Sequence, residues 1–211
     1  MNNSVVFSAY VTNLGLYNKG FLCGEWVDFP ITHDDDIDLK EAIDEVLCRA
    51  RVDGLEYEEY FITDYDSDIT GLTDCFREYE NLFMLNFLAH KIQEMNCSSE
   101  QSESMIAYGK FTGSVEKLIN LTDNADSFYF LPDVKNDYDL GYEYAVNSGL
   151  FTEALSSLGK LADYIDYERY GRDIRLNENG IHTDNGYISQ TDCIKLTFNS
   201  ETDEIPEEYL Q

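Results

Sequence analysis

Two different periods of apolar residues run through the start of the chain. Val5 to Val11 is rich in β-branched and aromatic residues and predicts a strand, and Phe21 to Phe29 predicts a returning strand closed by Pro30. Between them, Asn13 to Gly20 supplies the Asn and Gly of a turn or short loop. From Leu39 the period lengthens. Ala42, Ile43, Val46 and Leu47 recur at helical spacing behind His33-Asp34-Asp35-Asp36, a run that offers several capping carboxylates. Asp53-Gly54 ends that helix, and Glu58 to Tyr65 predicts a third strand, which makes the opening a ββαβ unit.

The middle of the chain changes character. Leu82, Leu85, Leu88, Ala89 and Ile92 share one face of a helix from about Glu80 to Met95. A Ser-rich break precedes a second helix near Glu100 to Tyr108, and Ser114 can cap a third that carries Val115, Leu118 and Ile119. The last third is mixed. Ser127 to Leu131 predicts a short strand, while Asp139 to Asn147 and Thr152 to Tyr164 predict helices. Ile174 to Leu176 and Tyr187 to Gln190 flank an Asn/Gly-rich turn and predict a hairpin, and the acidic tail from Glu201 to Gln211 predicts disorder. The whole reads as an α+β chain of three small domains. These are a mixed ββαβ domain over 1–75, a small helical bundle over 76–125 and a mixed α+β domain with an acidic tail over 126–211.

Charge alters this picture more than composition does. Hydrophobic residues at 43% and aromatics at 14% are enough for a packed core, so a wholly disordered acidic chain is excluded. Yet 42 acidic residues stand against 14 basic ones, a formal charge of -28. Such self-repulsion opposes compactness, so a constraint other than folding maintains it. Direct nucleic-acid binding is excluded, because it needs Lys and Arg to displace counterions from phosphates. Residues 1–75 carry 17 acidic and 4 basic groups and residues 126–211 carry 18 and 6, so the charge is spread rather than confined to a tail. No run of about 18 apolar residues predicts a membrane span, and the N-terminus lacks the pattern of a signal peptide. Five scattered cysteines without a Cys-x-x-Cys pair fit reduced thiols in the cytoplasm.

Candidate chemistry adds little. Asp64-Tyr65-Asp66-Ser67-Asp68 opens like a calcium loop, but Ile69 and Cys75 occupy the positions where an EF-hand needs Gly and a bidentate Glu. The carboxylates from Asp34 to Asp38 suit helix capping and surface charge better than a weak Mg²⁺ site. His33, His90 and His182 have no zinc-ligand spacing to a cysteine or to one another. Phosphate loops, nucleophile elbows and dinucleotide fingerprints are absent from the sequence. No catalytic residue, metal or cofactor is therefore expected. Most strand aromatics, Tyr10, Phe61 and Tyr129 among them, fit a core better than a binding platform.

Three stretches, in order, carry a resemblance. Tyr10-Val11-Thr12-Asn13-Leu14-Gly15-Leu16-Tyr17-Asn18 leads into Gly24-Glu25-Trp26-Val27-Asp28. Glu59-Tyr60-Phe61-Ile62-Thr63-Asp64-Tyr65-Asp66 precedes Glu78-Tyr79-Glu80-Asn81-Leu82. Late in the chain come Asp163-Tyr164-Ile165-Asp166-Tyr167-Glu168, Gly171-Arg172-Asp173 and Gly186-Tyr187. Together they resemble the ArdA antirestriction proteins, although many members are shorter and the acidic tail after Thr191 departs from the pattern. The resemblance implies three small domains in an elongated, curved molecule that dimerises through its C-terminal domain. It also implies a DNA mimic that occupies the DNA-binding groove of type I restriction–modification enzymes, chiefly the methyltransferase core. Such proteins are carried by conjugative plasmids and transposons, where they protect incoming DNA. The charge fits independently. Duplex DNA bears roughly one charge per 1.7 Å, so twice the -28 of one chain matches about 95 Å of duplex.

The candidate partner surface is the densest run of acids: Asp34, Asp35, Asp36, Asp38, Glu41, Asp44 and Glu45, together with Glu56, Glu58, Glu59, Asp64, Asp66 and Asp68. The candidate homodimer contact is Leu158, Leu161, Tyr164, Ile165, Tyr167 and Tyr170, interleaved with Arg169, Arg172 and Arg175. In the other reading of that segment, its apolar groups fill their own core and its arginines pair within it. The competing functional class is a general acidic module that binds another basic DNA-binding protein.

Overall fold

A computed structural model describes residues 4–32, 37–54, 56–149 and 151–210. It is a mixed α+β chain whose described residues form eight α-helices and two three-stranded antiparallel sheets. Two compact units emerge, and each is discontinuous in sequence. Unit 1 takes residues 1–96, 110–123 and 195–211, and unit 2 takes 97–109 and 124–194. The helices of the middle stretch are thus shared between the units.

Unit 1 is built on β1 (Phe7–Asn13), β2 (Gly24–Phe29) and β3 (Tyr60–Asp66), in the order β2-β1-β3. The span expected as a turn between the first two strands holds a short helix, α1 (Leu14–Asn18), because Asn13 Oδ1 accepts from Leu16 N at 2.8 Å and caps it. Alternation decides the faces of the sheet. Phe7, Ala9, Val11, Val27 and Phe29 are buried, whereas Trp26 and Asp28 are exposed between them. A bulge after Tyr10 shifts the β3 register, and Thr63 Oγ1 meets Thr12 Oγ1 at 2.8 Å there. In α2 (Leu39–Arg49), Leu39, Ala42, Ile43 and Val46 form one buried stripe, to which Leu39, Ile43 and Val46 each contribute about 1.5–3 kcal/mol. Asp38 caps α2 by accepting from Glu41 N at 2.9 Å. Helices α3 (Leu82–Glu94) and α5 (Val115–Thr122) pack together, started by the Asn81 and Ser114 caps.

The tail expected to be disordered is instead a strap on unit 1. Asn120 Oδ1 accepts from Thr197 N at 2.6 Å and Phe198 N at 3.0 Å, and Asn120 Nδ2 donates to Phe198 O at 2.8 Å. Phe198 is buried against Phe87, with ring centroids 5.2 Å apart. Tyr209 lies 4.7 Å from the same ring and donates to Glu94 Oε2 at 2.8 Å. Leu39 N donates to Leu210 O at 3.2 Å. Composition had suggested a solvated acidic tail, but these few anchors are enough to fix it.

Unit 2 contains α4 (Ser99–Tyr108) against a sheet of β4 (Phe128–Pro132), β6 (Gly186–Gln190) and β5 (Ile181–His182), ordered β4-β6-β5. Helix α6 (Asp137–Tyr142) passes into a π-helical turn over Glu143–Asn147. The helix expected to reach Tyr164 stops at Leu158 as α7 (Thr152–Leu158), because Gly159 turns the chain with φ of 53° into a 3-10 turn. The strand expected at Ile174 to Leu176 belongs instead to α8 (Tyr167–Glu178), capped by Asp166, and the hairpin partner of β6 is β5. Tyr167, Tyr170, Gly171 and Ile174 share one helical stripe, a spacing that outweighs the local Ile-Arg-Leu alternation. Helices α6 and α8 cross very closely. A Cβ on Gly171 would overlap the Asp137 carbonyl oxygen, and one on Gly141 would overlap that of Tyr167. Below the crossing, Val134, Leu140, Ile174 and fully buried Tyr187 form the core.

Candidate functional site

The candidate carboxylates fall into two groups on unit 1. Asp38, Glu41, Asp44 and Glu45 are all exposed on α2, at positions its buried stripe leaves to solvent. Asp64, Asp66 and Asp68 are exposed at and just beyond the end of β3. Because Asp64 and Asp66 are strand residues, their side chains project from the sheet rather than into a calcium loop. Glu56, Glu58 and Glu59 are exposed in the approach to β3, and Lys19 Nζ sits 3.8 Å from Glu56 Oε1. Asp34, Asp35 and Asp36, with His33, lie outside the described residues.

Asp28, which is not among the expected acids, is a further exposed carboxylate on this sheet. It joins the β3 acids by register, since Ser8 pairs with Asp28 on one side and with Asp66 on the other. The period-two pattern Trp26-Val27-Asp28-Phe29 carried the signal. Unit 1 holds 27 acidic and 9 basic residues, a net of -18, and unit 2 holds 15 and 5, a net of -10. In unit 1 the Arg49–Glu25 pair at 3.3 Å is exposed, so it hardly masks the field.

In unit 2 several carboxylates turn inward. Arg175 donates from Nε and Nη2 to the two oxygens of Asp137 at 2.7 and 3.0 Å, and His182 Nε2 lies 2.9 Å from Asp137 Oδ1. The Arg175 fork holds the Asp137 carboxyl at about 2, below the usual carboxylate range, which makes it a poor proton acceptor. Tyr144 and Tyr187 donate to Glu178 at 2.8 and 2.7 Å, and burial, reinforced by that carboxylate, pushes both phenols up. These groups brace α6, α8 and β6.

The candidate dimer residues divide. Leu158, Leu161 and Tyr164 are exposed, Tyr164 at 84%. Ile165, Tyr167 and Tyr170 are half-buried. Tyr167 packs on Tyr138 and Tyr142 with centroids 5.8 and 5.4 Å away, and Tyr170 packs on the unit 2 core. Arg175 is used within the unit, whereas Arg169 and Arg172 are exposed.

A family model described as Antirestriction protein (ArdA) matches residues 9–189. The chain belongs to the ArdA family. Membership assigns it an antirestriction function, and the match takes in all eight helices and all but the end residues of the two sheets, while the strap lies wholly outside it. No curated protein matches the chain. Among the described residues, no helix is long and apolar enough to cross a membrane.

Proposed function

We propose that this ArdA protein blocks restriction by DNA mimicry. Its exposed carboxylates occupy the DNA-binding groove of a type I restriction–modification enzyme, chiefly the methyltransferase core, and exclude DNA from it. The observation that carries this reading is the net charge of -28, together with the exposure of every described candidate carboxylate. A groove built for phosphates gains the same charge-assisted contacts from carboxylates, and association is steered at long range. The protein acts by occupancy, without turnover, metal or cofactor, from the cytoplasm of a host that carries the mobile element. Two copies associate through unit 2, where Leu158, Leu161 and Tyr164 expose apolar surface beside Arg169 and Arg172. Such a dimer meets a bipartite enzyme twice, which gives avidity without new contacts.

Titration of a purified type I methyltransferase with this protein, against labelled cognate DNA, tests the reading. DNA and protein are expected to displace one another, less effectively as salt rises and equally well in EDTA. A stable ternary complex would sink the mimicry. Equal binding to unrelated basic DNA-binding proteins would instead make the chain a general acidic module.

A further inference from the structure

The β1–β2–β3 sheet has a buried face and an open one. Asp28, Ser8 and Asp66 form one cross-strand row on the open face, and Trp26, Tyr10 and Asp64 form the next. Directly opposed residues share a face with Cβ atoms about 5 Å apart, and residues two apart along a strand are about 7 Å apart. Trp26 therefore has Tyr10 beside it across the sheet and Asp28 beside it along β2. Neither row contains a Lys or Arg.

The parts of this face are fixed. Ser8 Oγ donates to Asp28 Oδ1 at 2.6 Å, and Tyr65 N donates to Asp64 Oδ1 at 2.9 Å. The Tyr10 and Trp26 rings lie 5.4 Å apart, and a Cβ at Gly24 would collide with the Tyr10 ring. Trp26 nevertheless remains 48% exposed. A large apolar ring left half in water beside oriented carboxylates has the two features a guanidinium seeks. The ring face attracts a cation within about 6 Å of its centroid, and a carboxylate accepts the planar fork.

We infer that this open sheet face anchors the partner by taking an arginine side chain, stacked on the Trp26 indole and paired with Asp28, while Asp64 and Asp66 meet further basic groups. The inference rests on the competitive reading above, because a groove that binds phosphates is lined with such side chains. It deepens that reading in one respect. A uniform acidic surface spreads affinity thinly over many charges, whereas an anchor concentrates it in one aromatic.

Trp26 is the chain's single tryptophan, so 5-fluorotryptophan gives one ¹⁹F resonance. Unlabelled type I methyltransferase is expected to shift that resonance, and cognate DNA is expected to restore it. Trp26→Ala should weaken binding by about 30-fold with the salt dependence unchanged, and Trp26→Tyr should retain most of the affinity. Asp28→Asn should weaken it less and flatten the salt dependence. An unmoved resonance at saturation, while DNA still displaces the protein, overturns the anchor and leaves mimicry standing. So does a folded Trp26→Ala variant that binds within twofold of the parent. Simultaneous binding of protein and DNA overturns the mimicry itself. A resonance that moves with the protein's own concentration, without enzyme, assigns the face to a second copy and also overturns the anchor.

Discussion

In unit 1 the acids of α2 and of the open sheet face project into solvent, and Lys19 and Arg49 meet Glu56 and Glu25 only at exposed positions. In unit 2, Asp137 and Glu178 are committed inward, to Arg175, His182, Tyr144 and Tyr187. The same residue type therefore serves as surface charge at these positions of unit 1 and as a brace at these positions of unit 2. Net charge alone does not reveal this division, because it counts a carboxylate held by an arginine fork equally with one free to meet a partner. Unit 1 carries the larger net charge, although it too holds an inward pair, Lys91 with Asp123 at 2.5 Å.

The largest expected effect tests the bracing in unit 2. Gly171→Val places atoms where the Asp137 carbonyl lies, so α6 and α8 must part, with a loss of about 3 kcal/mol or more in urea unfolding. A variant as stable as the parent would show that the close crossing is dispensable. In unit 1, Phe198→Ala removes the main anchor of the strap and should lower stability by about 3 kcal/mol. Because Trp26 belongs to unit 1, its emission reports that transition, and an unchanged midpoint would detach the strap from the fold of the unit.

A smaller effect separates brace from surface by pH. The Asp137 carboxyl is held at about 2 in the folded chain, against an ordinary value of about 3.9. Its contribution is therefore present in full above about pH 4 and lost as pH falls through about 2. Asp137→Asn should cost about 1–2 kcal/mol at neutral pH, and the gap from the parent should close over that acid window. A gap that stays constant with pH would assign the loss to packing. The smallest effect belongs to the surface acids. Asp44→Asn should weaken partner binding by less than about 1 kcal/mol, with larger losses when Asp38, Glu41 and Glu45 are neutralised as well. A single such change that abolished binding without unfolding would replace a diffuse surface with a specific site.

Much of the fold was legible wherever a local period was strong. The burial stripe of α2, the alternation in β1 and β2, and the Ser114 and Asn81 caps each act within a few residues. Helix α8 was missed because its stripe combines tyrosines and a glycine, while Ile174 to Leu176 locally favours a strand. The strap was missed because its order comes from Asn120, Phe87 and Glu94, remote in sequence. The exposed acids could be guessed from density alone. The alternation exposes Asp28, but its place beside Asp66 could not be read, since it depends on a β1–β3 pairing between residues far apart in sequence. Nor could the inward role of Asp137, which is set by a partner on α8.

The strap also orders events in time. Residues 195–211 complete unit 1, and they leave the ribosome only after every segment of unit 2 has been made. A nascent chain paused near residue 194 would hold all of unit 2 but lack the Phe198 and Tyr209 anchors of the other unit. Ribosome-bound chains of stepped length should therefore resist protease over unit 2 first and over residues 1–96 last. The more acidic unit, although its first segment is made before unit 2, is completed only after it.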